Sequence, residues 1–332
     1  MHERNFEDVT VICVTYQSRA LVESLAAQLQ PFPQVIVVDN GSTDGTVATV
    51  RRLVPQARVL QRDHNGGFGR ANNKAMEHVI TPFALLLNPD CSLAPEALDI
   101  LRQCMRRYPL AGVVAPQGWR ADRRPQKSFR AAFYEKQQRQ SYRTADATCS
   151  VQWLNGCCLL VRTHAFREIG GFDEQFFLFY EDDDLCLRMR QAGYECLIEP
   201  AASALHTGGA SSAASLRTSL LKAFHYARSR HLAICKYQGQ PAGYRYLAKT
   251  LLAAPLLALV YSVLLQRRRA IKWLAWGAAA ACGLARKPQA IEKPTNGPPY
   301  RGHHPARRML EPIRRAPAPR AARALHEDRR AE

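Results

Sequence analysis

The sequence predicts an α/β protein in which a mainly parallel sheet is covered by helices on both faces. The first 116 residues alternate between short, continuously apolar runs and longer segments whose apolar residues recur at helical spacing. Continuously apolar strands separated by helices are typical of parallel sheets that are buried on both faces. The chain has 332 residues, 47% of them hydrophobic and 22% charged, which is enough for a substantial core.

The elements follow in order from this alternation. The predicted strands are residues 9–14, 34–39, 58–61 and 83–88. The predicted helices are residues 21–29, 46–53, 70–79 and 95–108. A polar segment rich in Arg and Gln, residues 118–150, predicts a long loop or flap, and ordered structure resumes over residues 151–161. A further helix is predicted over residues 181–192, with Gly193 as its C-terminal cap.

The C-terminal part, residues 211–285, has a different character. Residues 250–265 carry no charge, and after Arg267, Arg268 and Arg269 a second apolar stretch runs over residues 270–285. Both stretches are shorter than the ~20 residues that a membrane-spanning helix needs. Their basic flanks predict helices in the membrane interface or a shallow re-entrant pair. Buried helices of a soluble domain are the alternative, since short apolar segments are often core.

The net charge of +18 comes from 46 Lys and Arg against 28 Asp and Glu. Residues 286–332 hold 12 of the basic and 5 of the acidic residues, a net +7, and eight of the 20 prolines. This composition predicts a disordered basic tail. Because it follows the apolar stretches, we expect the tail to meet an anionic membrane surface, whereas acidic side chains at the sheet edge disfavour nucleic acid.

The ten cysteines form no Cys-x-x-Cys pair, and several lie in apolar runs. They predict buried free thiols rather than a disulfide framework or a zinc site. The N-terminal residues are polar and lack a signal-peptide core. We therefore expect a cytoplasmic protein, peripheral on the inner face of the plasma membrane.

Three features lie at predicted carboxyl ends of strands, where open parallel sheets bind ligands. Asp39 can accept hydrogen bonds from a nucleobase or ribose, or can cap its turn. The Gly67-x-Gly69 loop resembles a dinucleotide fingerprint, but Asn72 replaces the third glycine, and its spacing excludes a P-loop. Such a loop can still present N–H groups to a diphosphate. Asp90 suits a divalent cation that is held partly by substrate phosphates, or simply belongs to a Pro-Asp turn.

The acidic run at residues 181–184 precedes a predicted helix, where the macrodipole favours any acid. Leu185 and Met189 mark the buried face of this helix, and Asp182 falls on that face. Asp184 is four residues before Arg188 and predicts an ion pair. A carboxylate facing the interior is costly unless it has a task, so Asp182 is the predicted general base.

Together, these motifs resemble the family 2 glycosyltransferases of the GT-A fold, and more closely their rhamnosyltransferase-like branch. The resemblance rests on VICVTYQS, VIVVDNGSTDGT, NGGFGRANN, LLLNPD and GGFDEQFFLFYEDDDLCLRMRQAGY. These stretches cover about residues 8–210, so residues 1–210 are the expected catalytic domain. One departure is that Asn88 occupies the first position of the usual Asp-x-Asp metal motif.

The resemblance implies inverting transfer of rhamnose or a related deoxysugar from a dTDP- or UDP-sugar to a glycan or lipid-linked acceptor. It implies Asp182 as the catalytic base, and Asp90 and His206 as ligands of Mg²⁺ or Mn²⁺. The implied nucleotide-sugar-binding residues are Thr15, Tyr16, Asp39, Asn65, Gly67, Gly69, Asn72 and Asn88. The alternatives are an α/β dinucleotide-binding oxidoreductase and a non-catalytic nucleotide-sugar-binding protein. The sequence leaves open whether the chain forms homo-oligomers.

Overall fold

The computed structural model describes residues 5–134, 144–208 and 215–285. The four predicted parallel strands are present and adjacent, in the order β3-β2-β1-β4. Their bounds are β1 Val9–Thr15, β2 Val35–Asp39, β3 Ala57–Gln61 and β4 Phe83–Leu87. The predicted tail, residues 286–332, lies outside the described residues.

The second half of the sheet is mixed. Beyond β4 the order continues β10-β6-β11-β5, with β8 beside β11. The bounds are β5 Cys91–Leu93, β6 Ala111–Trp119, β7 Phe129–Arg130, β8 Cys149–Ser150, β9 Trp153–Leu154, β10 Cys158–Arg162 and β11 Glu195–His206. Strand β10 is antiparallel to both of its neighbours, while β11 is parallel to β6. The start of β10 therefore lies at the same edge as the end of β4.

Six helices cover the sheet, which confirms the predicted α/β class. Their bounds are α1 Val22–Leu29, α2 Thr46–Leu53, α3 Phe68–Met76, α4 Pro95–Arg107, α5 Thr163–Glu168 and α6 Glu181–Gln191. Alternate side chains of β1 enter two cores: Val11 packs in one with Leu25 and Leu98, and Ile12 in the other with Phe172. Both faces of the sheet are thus buried, as continuously apolar strands require.

Five strands lie outside the predicted set, namely β5, β6, β7, β8 and β11. Strand β11 contains Pro200, and its pairing with β6 shifts register between Glu199 and Ser203. An internal proline and a break in register both hide a strand from a pattern-based prediction. Strand β6 begins seven residues before the polar segment and ends inside it, so that segment is shorter than predicted. Residues 135–143 of the predicted flap lie outside the described residues.

The C-terminal helices are longer than the apolar stretches suggest. Their bounds are α7 Leu216–Gln238, α8 Gln240–Val263 and α9 Arg267–Ala285. Helix α8 continues through Pro255 and has 24 residues with a mean hydropathy of 1.6 in its most apolar window. In the described part of the chain, it alone is long and apolar enough to cross a membrane, so the expectation that this segment is too short was wrong. The sequence prediction missed its first turns because they are polar.

All ten cysteines lie in the described ranges and are free thiols. Nine of them are buried, as the sequence predicts. Cys282 on α9 is the exception, since it is exposed. Helix α9 buries only alanines, so the apolar residues around Cys282 in the sequence do not cover its thiol.

Candidate active site

Thr15 and Asp39 meet at the carboxyl ends of β1 and β2. The Thr15 hydroxyl donates to Asp39 Oδ1 at 3.0 Å, and both residues are buried. Asp39 also accepts from the amide of Ser42 at 2.7 Å and from its hydroxyl at 2.6 Å. Asp39 therefore holds the turn after β2, which is the structural role considered above. Tyr16, the next residue after β1, is 42% exposed at this edge.

The glycine loop packs against the segment that leads to α6. A Cβ on Gly67 would collide with the carbonyl oxygen of Phe177, and one on Gly69 would lie 2.9 Å from Phe172 Cβ. The Phe68 amide, in the first turn of α3, donates to the same Phe177 oxygen at 3.3 Å. These contacts explain the glycines by close packing and leave little room for a pyrophosphate at this helix end. They do not favour a dinucleotide cradle.

Two asparagines of this loop are held locally. Asn65 Oδ1 accepts from the Gly67 amide at 3.0 Å, and the half-buried Asn65 borders a cavity. Asn72 is buried on α3 and donates to the Phe68 carbonyl at 3.0 Å. The structure thus places Asn72 in the packing of α3, bonded within its own helix. That Asn65, Gly67, Gly69 and Asn72 contact a nucleotide-sugar stays a prediction.

Asp90 and His206 come together from distant parts of the chain. His206, the last residue of β11, lies with Nε2 3.3 Å from Asp90 Oδ1. The Thr207 amide donates to the Asp90 carbonyl at 3.0 Å, and the Gln126 side chain contacts His206 Nδ1. Burial opposes charge on His206, but hydrogen bonds with Asp90 and with the Cys157 thiol outweigh it and raise the pKa of His206 to about 10.

Asp90 fits a cation that is shared with a diphosphate, whereas His206 can join as a ligand only as the neutral imidazole, so metal binding there must release the proton that its raised pKa retains. In residues 5–134, 144–208 and 215–285, no three His, Cys, Asp or Glu side chains form a cluster that could hold a metal ion. Mg²⁺, however, is commonly bound through one or two carboxylates plus substrate phosphates and water. The buried carboxylate of Asp90, with His206 in contact, supplies that smaller donor set. Asn88 lies two residues before Asp90 and adds no charge.

Asp182 is joined to the same edge through residues 156 and 157. Its Oδ2 accepts from the Gly156 amide at 3.1 Å, and its Oδ1 accepts from the Asp183 amide at 3.0 Å. Cys157 follows Gly156 in the chain, and its carbonyl accepts a hydrogen bond from the Asn88 amide at 2.9 Å. The loop before β10 therefore connects the predicted base with the Asn88–Asp90 turn. Burial raises the pKa of Asp182, while the Arg130 charge opposes the rise.

The face prediction for α6 was wrong in its detail. Asp182 is half-buried, whereas Glu181, Asp183 and Asp184 are buried. Two elements cover the acids that the pattern assigns to solvent: Arg130 of β7 contacts Asp183, and Lys236 of α7 contacts Asp184. The predicted ion pair is confirmed, with Arg188 Nε 2.7 Å from Asp184 Oδ2. Asp182 thus differs from the three neighbouring acids because it is partly exposed and contacts the loop before β10 through the Gly156 amide.

Arg130 is a site residue that the sequence does not single out. It lies 2.6 Å from Asp183 Oδ2 and 4.3 Å above the ring of Trp153. Burial raises the pKa of Asp183 to about 8 against the opposing charge of Arg130. Arg130 belongs to the two-residue strand β7 within a polar segment, where nothing distinguishes it from its neighbours. Only the pairing of β7 with β9 brings it to α6.

The turn that starts α6 is strained. Phe179 and Tyr180 have φ angles of 68° and 69°, a region that side chains other than glycine rarely adopt. Helix α7 holds this turn: Ser229 donates to the Leu178 carbonyl at 2.8 Å, and the hydroxyl of Tyr180 lies 3.3 Å from that of Tyr226. Backbone strain of this kind persists only where the surroundings enforce it, often at functional sites.

Comparison with known proteins shows a family match. Residues 10–170 match the profile described as Glycosyl transferase family 2, and residues 141–207 match one described as N-terminal domain of galactosyltransferase. The first stretch contains Thr15, Asp39, the glycine loop and Asp90. The second contains Asp182 and His206. All the candidate site residues named from the sequence therefore fall inside matched regions.

Two relatives and one solved structure support this match. The chain is 29% identical over 235 residues to the N-acetylglucosaminyl-diphospho-decaprenol L-rhamnosyltransferase of Mycobacterium tuberculosis, covering 59% of this chain and 75% of the relative. It is 43% identical over 56 residues to the rhamnosyltransferase WbbL of Escherichia coli, covering 17% and 21%. The mannosyltransferase PcManGT of Pyrobaculum calidifontis, solved with GDP-Man and Mn²⁺, has the same fold, with a TM-score of 0.51 at 19% identity over 83% of this chain and 86% of that one.

Proposed function

We propose, from the premise that the chain carries a glycosyl transferase family 2 domain, that it is an inverting rhamnosyltransferase. The donor is dTDP-rhamnose, and the acceptor is a hydroxyl of a lipid-linked or polysaccharide glycan of the cell envelope. The rhamnosyltransferase from Mycobacterium tuberculosis supports this choice, since the chain covers 75% of its length. The single observation that carries the proposal is the connection of Asp182 to the Asn88–Asp90 turn through Gly156 and Cys157.

In this reaction Asp182 is the general base. The acceptor oxygen attacks the anomeric carbon of the donor and gives its proton to the Asp182 carboxylate. The bond between that carbon and the diphosphate oxygen breaks, and the diphosphate leaves with the electron pair. Attack from the opposite face inverts the configuration and needs no covalent enzyme intermediate. Such a positioned base contributes about 10²–10⁴ in rate. The Gly156 amide, at 3.1 Å, holds the carboxylate in place.

The remaining residues bind the donor. Asp90 and His206 would hold a divalent cation, Mg²⁺ or Mn²⁺, which when bound offsets charge on the leaving diphosphate. Thr15, Tyr16 and Asp39 would border the nucleoside, and Asn88 would hydrogen-bond a ribose hydroxyl of the donor through its side-chain amide. Fixed dipoles and charges directed at the leaving group lower the barrier, because they need no reorganisation during the reaction.

We propose that the C-terminal helices hold the enzyme at the inner face of the plasma membrane. The most apolar window of α8 is only 22% buried in the protein, and Arg267, Arg268 and Arg269 follow at the start of α9. Basic side chains next to an exposed apolar surface favour anionic lipid headgroups. A membrane location brings the active site to a lipid-linked acceptor.

A donor screen tests the proposal. The full-length protein is heated with dTDP-rhamnose or with UDP-sugars, each with Mg²⁺ or Mn²⁺, because a ligand of the native state raises the melting temperature. We expect stabilisation by dTDP-rhamnose with metal, and rhamnose release or transfer by the wild type. Asp182→Asn should keep the stabilisation and lose turnover. Equal turnover by Asp182→Asn, or stabilisation by NAD alone, would contradict the proposal.

A further inference from the structure

His206 is held at both of its ring nitrogens. Nε2 lies 3.3 Å from Asp90 Oδ1, and Nδ1 faces the side-chain amide of Gln126. The amide nitrogen of Gln126 lies 2.8 Å from Nδ1, and the amide oxygen lies 3.2 Å from the same atom. The Cys157 thiol also hydrogen-bonds the ring. Because the His206 side chain is only 15% exposed, these contacts fix the direction of its ring.

Gln126 reaches His206 because the loop between β6 and β7 folds back on the end of β6. Strands β6 and β11 are parallel, and their register places Trp119 beside Leu205, the residue before His206. The backbone amide of Gln126 donates to the Gly118 carbonyl at 2.9 Å. The loop thus carries Gln126 back to the carboxyl ends of both strands, where β11 presents its last side chain.

The base of this loop is buried and hydrogen-bonded. The buried Ser128 hydroxyl accepts from the Gly118 amide at 2.7 Å, and the buried Gln117 side chain donates to the Gly118 carbonyl at 3.0 Å. A Cβ on Gly118 would lie 3.0 Å from the Ser128 hydroxyl and 3.2 Å from Gln126 Oε1, so glycine allows the loop to approach this closely. The packing of the loop therefore sets the position of the Gln126 side chain.

The contact at Nδ1 decides what Nε2 can bind. In a neutral imidazole one nitrogen carries the proton and the other a lone pair, and the hydrogen-bond partner of one nitrogen fixes the state of the other. An Nδ1–H that donates to the amide oxygen of Gln126 leaves the lone pair on Nε2, the nitrogen that faces Asp90. Histidines that bind metals usually have a second partner of this kind, which fixes the tautomer and the direction of the ring.

We propose that Gln126 is a positioning residue of the metal site, whose side-chain amide holds Nδ1 of His206 and keeps Nε2 available to the divalent cation beside Asp90. The proposal rests on the proposed function, in which Asp90 and His206 would hold that cation. Gln126 acts through His206 and is not itself a ligand. Loss of its amide should therefore weaken binding of the cation and leave the folded domain intact.

The test measures binding of Mn²⁺ itself, without turnover. Full-length protein is titrated with Mn²⁺ in the presence of dTDP, and the free ion is followed by its electron paramagnetic resonance signal. Gln126→Met removes the amide at nearly constant side-chain length, so we expect the Mn²⁺ affinity to fall about 10–100-fold. Gln126→Glu should bind Mn²⁺ about as well as the wild type, because a carboxylate oxygen accepts the same Nδ1–H.

The matched control is Gln34→Met. Gln34 is half-buried just before β2, at the other end of that strand from Asp39, and its side chain donates to the Glu7 carbonyl at 3.0 Å. This variant also loses a side-chain hydrogen bond, but its Mn²⁺ affinity should equal that of the wild type. The nitrogen NMR shifts of the His206 ring give a second readout. With Mg²⁺ and dTDP bound, the wild type should show a proton on Nδ1, and Gln126→Met should show a mixture of ring states.

Unchanged Mn²⁺ affinity in Gln126→Met would overturn the proposal. Equal losses in Gln126→Met and Gln126→Glu would also overturn it, because the effect would then come from packing of the loop. Failure of the proposed function looks different: the wild type itself would bind no Mn²⁺ with dTDP, and the metal role of Asp90 and His206 would fail together with the positioning role. If the wild type binds Mn²⁺ and Gln126→Met binds it equally well, the proposed transfer stands and only the role of Gln126 fails.

Discussion

Lys236 Nζ lies 2.6 Å from Asp184 Oδ1, and the two side chains are 5% and 1% exposed. The same cation lies 2.6 Å from Asp173, while Asp184 also accepts from Tyr237 at 2.7 Å. Helix α7 is thus tied by a buried ionic network to the helix that carries the proposed base. The sequence prediction separates residues 1–210 from residues 211–285, but α7 packs as part of the active-site framework.

Replacing Lys236 by Met should destabilise the protein and reduce turnover. Removing one partner of a buried ion pair leaves an uncompensated charge and costs about 3–5 kcal/mol. Here Asp184 would keep Arg188, so we expect the lower part of that range. Urea unfolding followed by tryptophan fluorescence measures the loss.

The matched control is Lys74→Met. Lys74 pairs with Glu77 at 2.6 Å, but these side chains are 52% and 56% exposed. Exposed ion pairs contribute little because water and salt screen them. The unfolding midpoint of Lys74→Met should match that of the wild type. A Lys236→Met midpoint as high as that of the control would show that the α6–α7 network is not stabilising.

Replacing Gly156 by Ala should lower turnover with little effect on donor binding. A Cβ at this position would lie 3.2 Å from Asp182 Cβ, which is tighter than nine in ten real contacts of this kind. The Asp182 carboxylate would have to shift relative to the Gly156 amide that holds it. We expect kcat to fall while the stabilisation by dTDP-rhamnose stays the same. An unchanged kcat would mean that Asp182 does not need this position.

On the acid side of the pH profile, activity should fall at a pH above the ordinary pKa of an aspartate. Burial raises the pKa of Asp182 above its usual 3.8, and a base works only when deprotonated. Activity should therefore fall as the pH falls through this raised pKa. The nearby charge of Arg130 lowers the pKa, so Arg130→Gln should move this fall in activity to higher pH.

The control for this shift is Arg124→Gln, whose side chain is 82% exposed and lies outside the Asp182–Asp183 pair. Its pH profile of kcat should follow the wild type. If Arg130→Gln lowers kcat equally at every pH, Arg130 acts through packing on Trp153 rather than through its charge.

Replacing Asp90 by Ala should abolish metal-dependent turnover. Asp90 supplies the buried carboxylate of the Asp90–His206 pair, and among the described residues no three His, Cys, Asp or Glu side chains form a group that could hold a metal ion by themselves. Titration of Mn²⁺ against activity measures the effect, with His206→Gln expected to weaken the metal response rather than remove it. Full wild-type activity in the presence of a chelator would contradict the metal role.

The sequence predicts the parallel half of the fold well because its strands are continuously apolar. Strands β2 (Val35–Asp39) and β4 (Phe83–Leu87), for example, are buried at every position. The strands of the mixed half of the sheet are harder, since β11 contains Pro200 and polar residues. Their positions depend on pairing across the sheet rather than on local pattern.

The candidate site shows the same limit. Asp182 and Asp90 can be selected from their motifs, but the glycine loop reads as a phosphate cradle until Phe177 is seen to pack on it. Lys236 and Arg130 reach α6 only through tertiary contacts made by α7 and β7. No local feature of the sequence marks a cation that pairs with an acid 50 residues away.

Membrane binding should depend on the exposed face of α8. Leu252 and Leu259 are 79% and 63% exposed, so replacing both by Glu should not disturb the fold. We expect the double variant to lose most of its co-sedimentation with vesicles containing anionic lipid, because charged side chains resist entry into the apolar layer. The matched control is Ile80→Glu, since Ile80 is 88% exposed on the catalytic domain. Its binding should match that of the wild type, and equal binding by the α8 variant would exclude this face as the membrane contact.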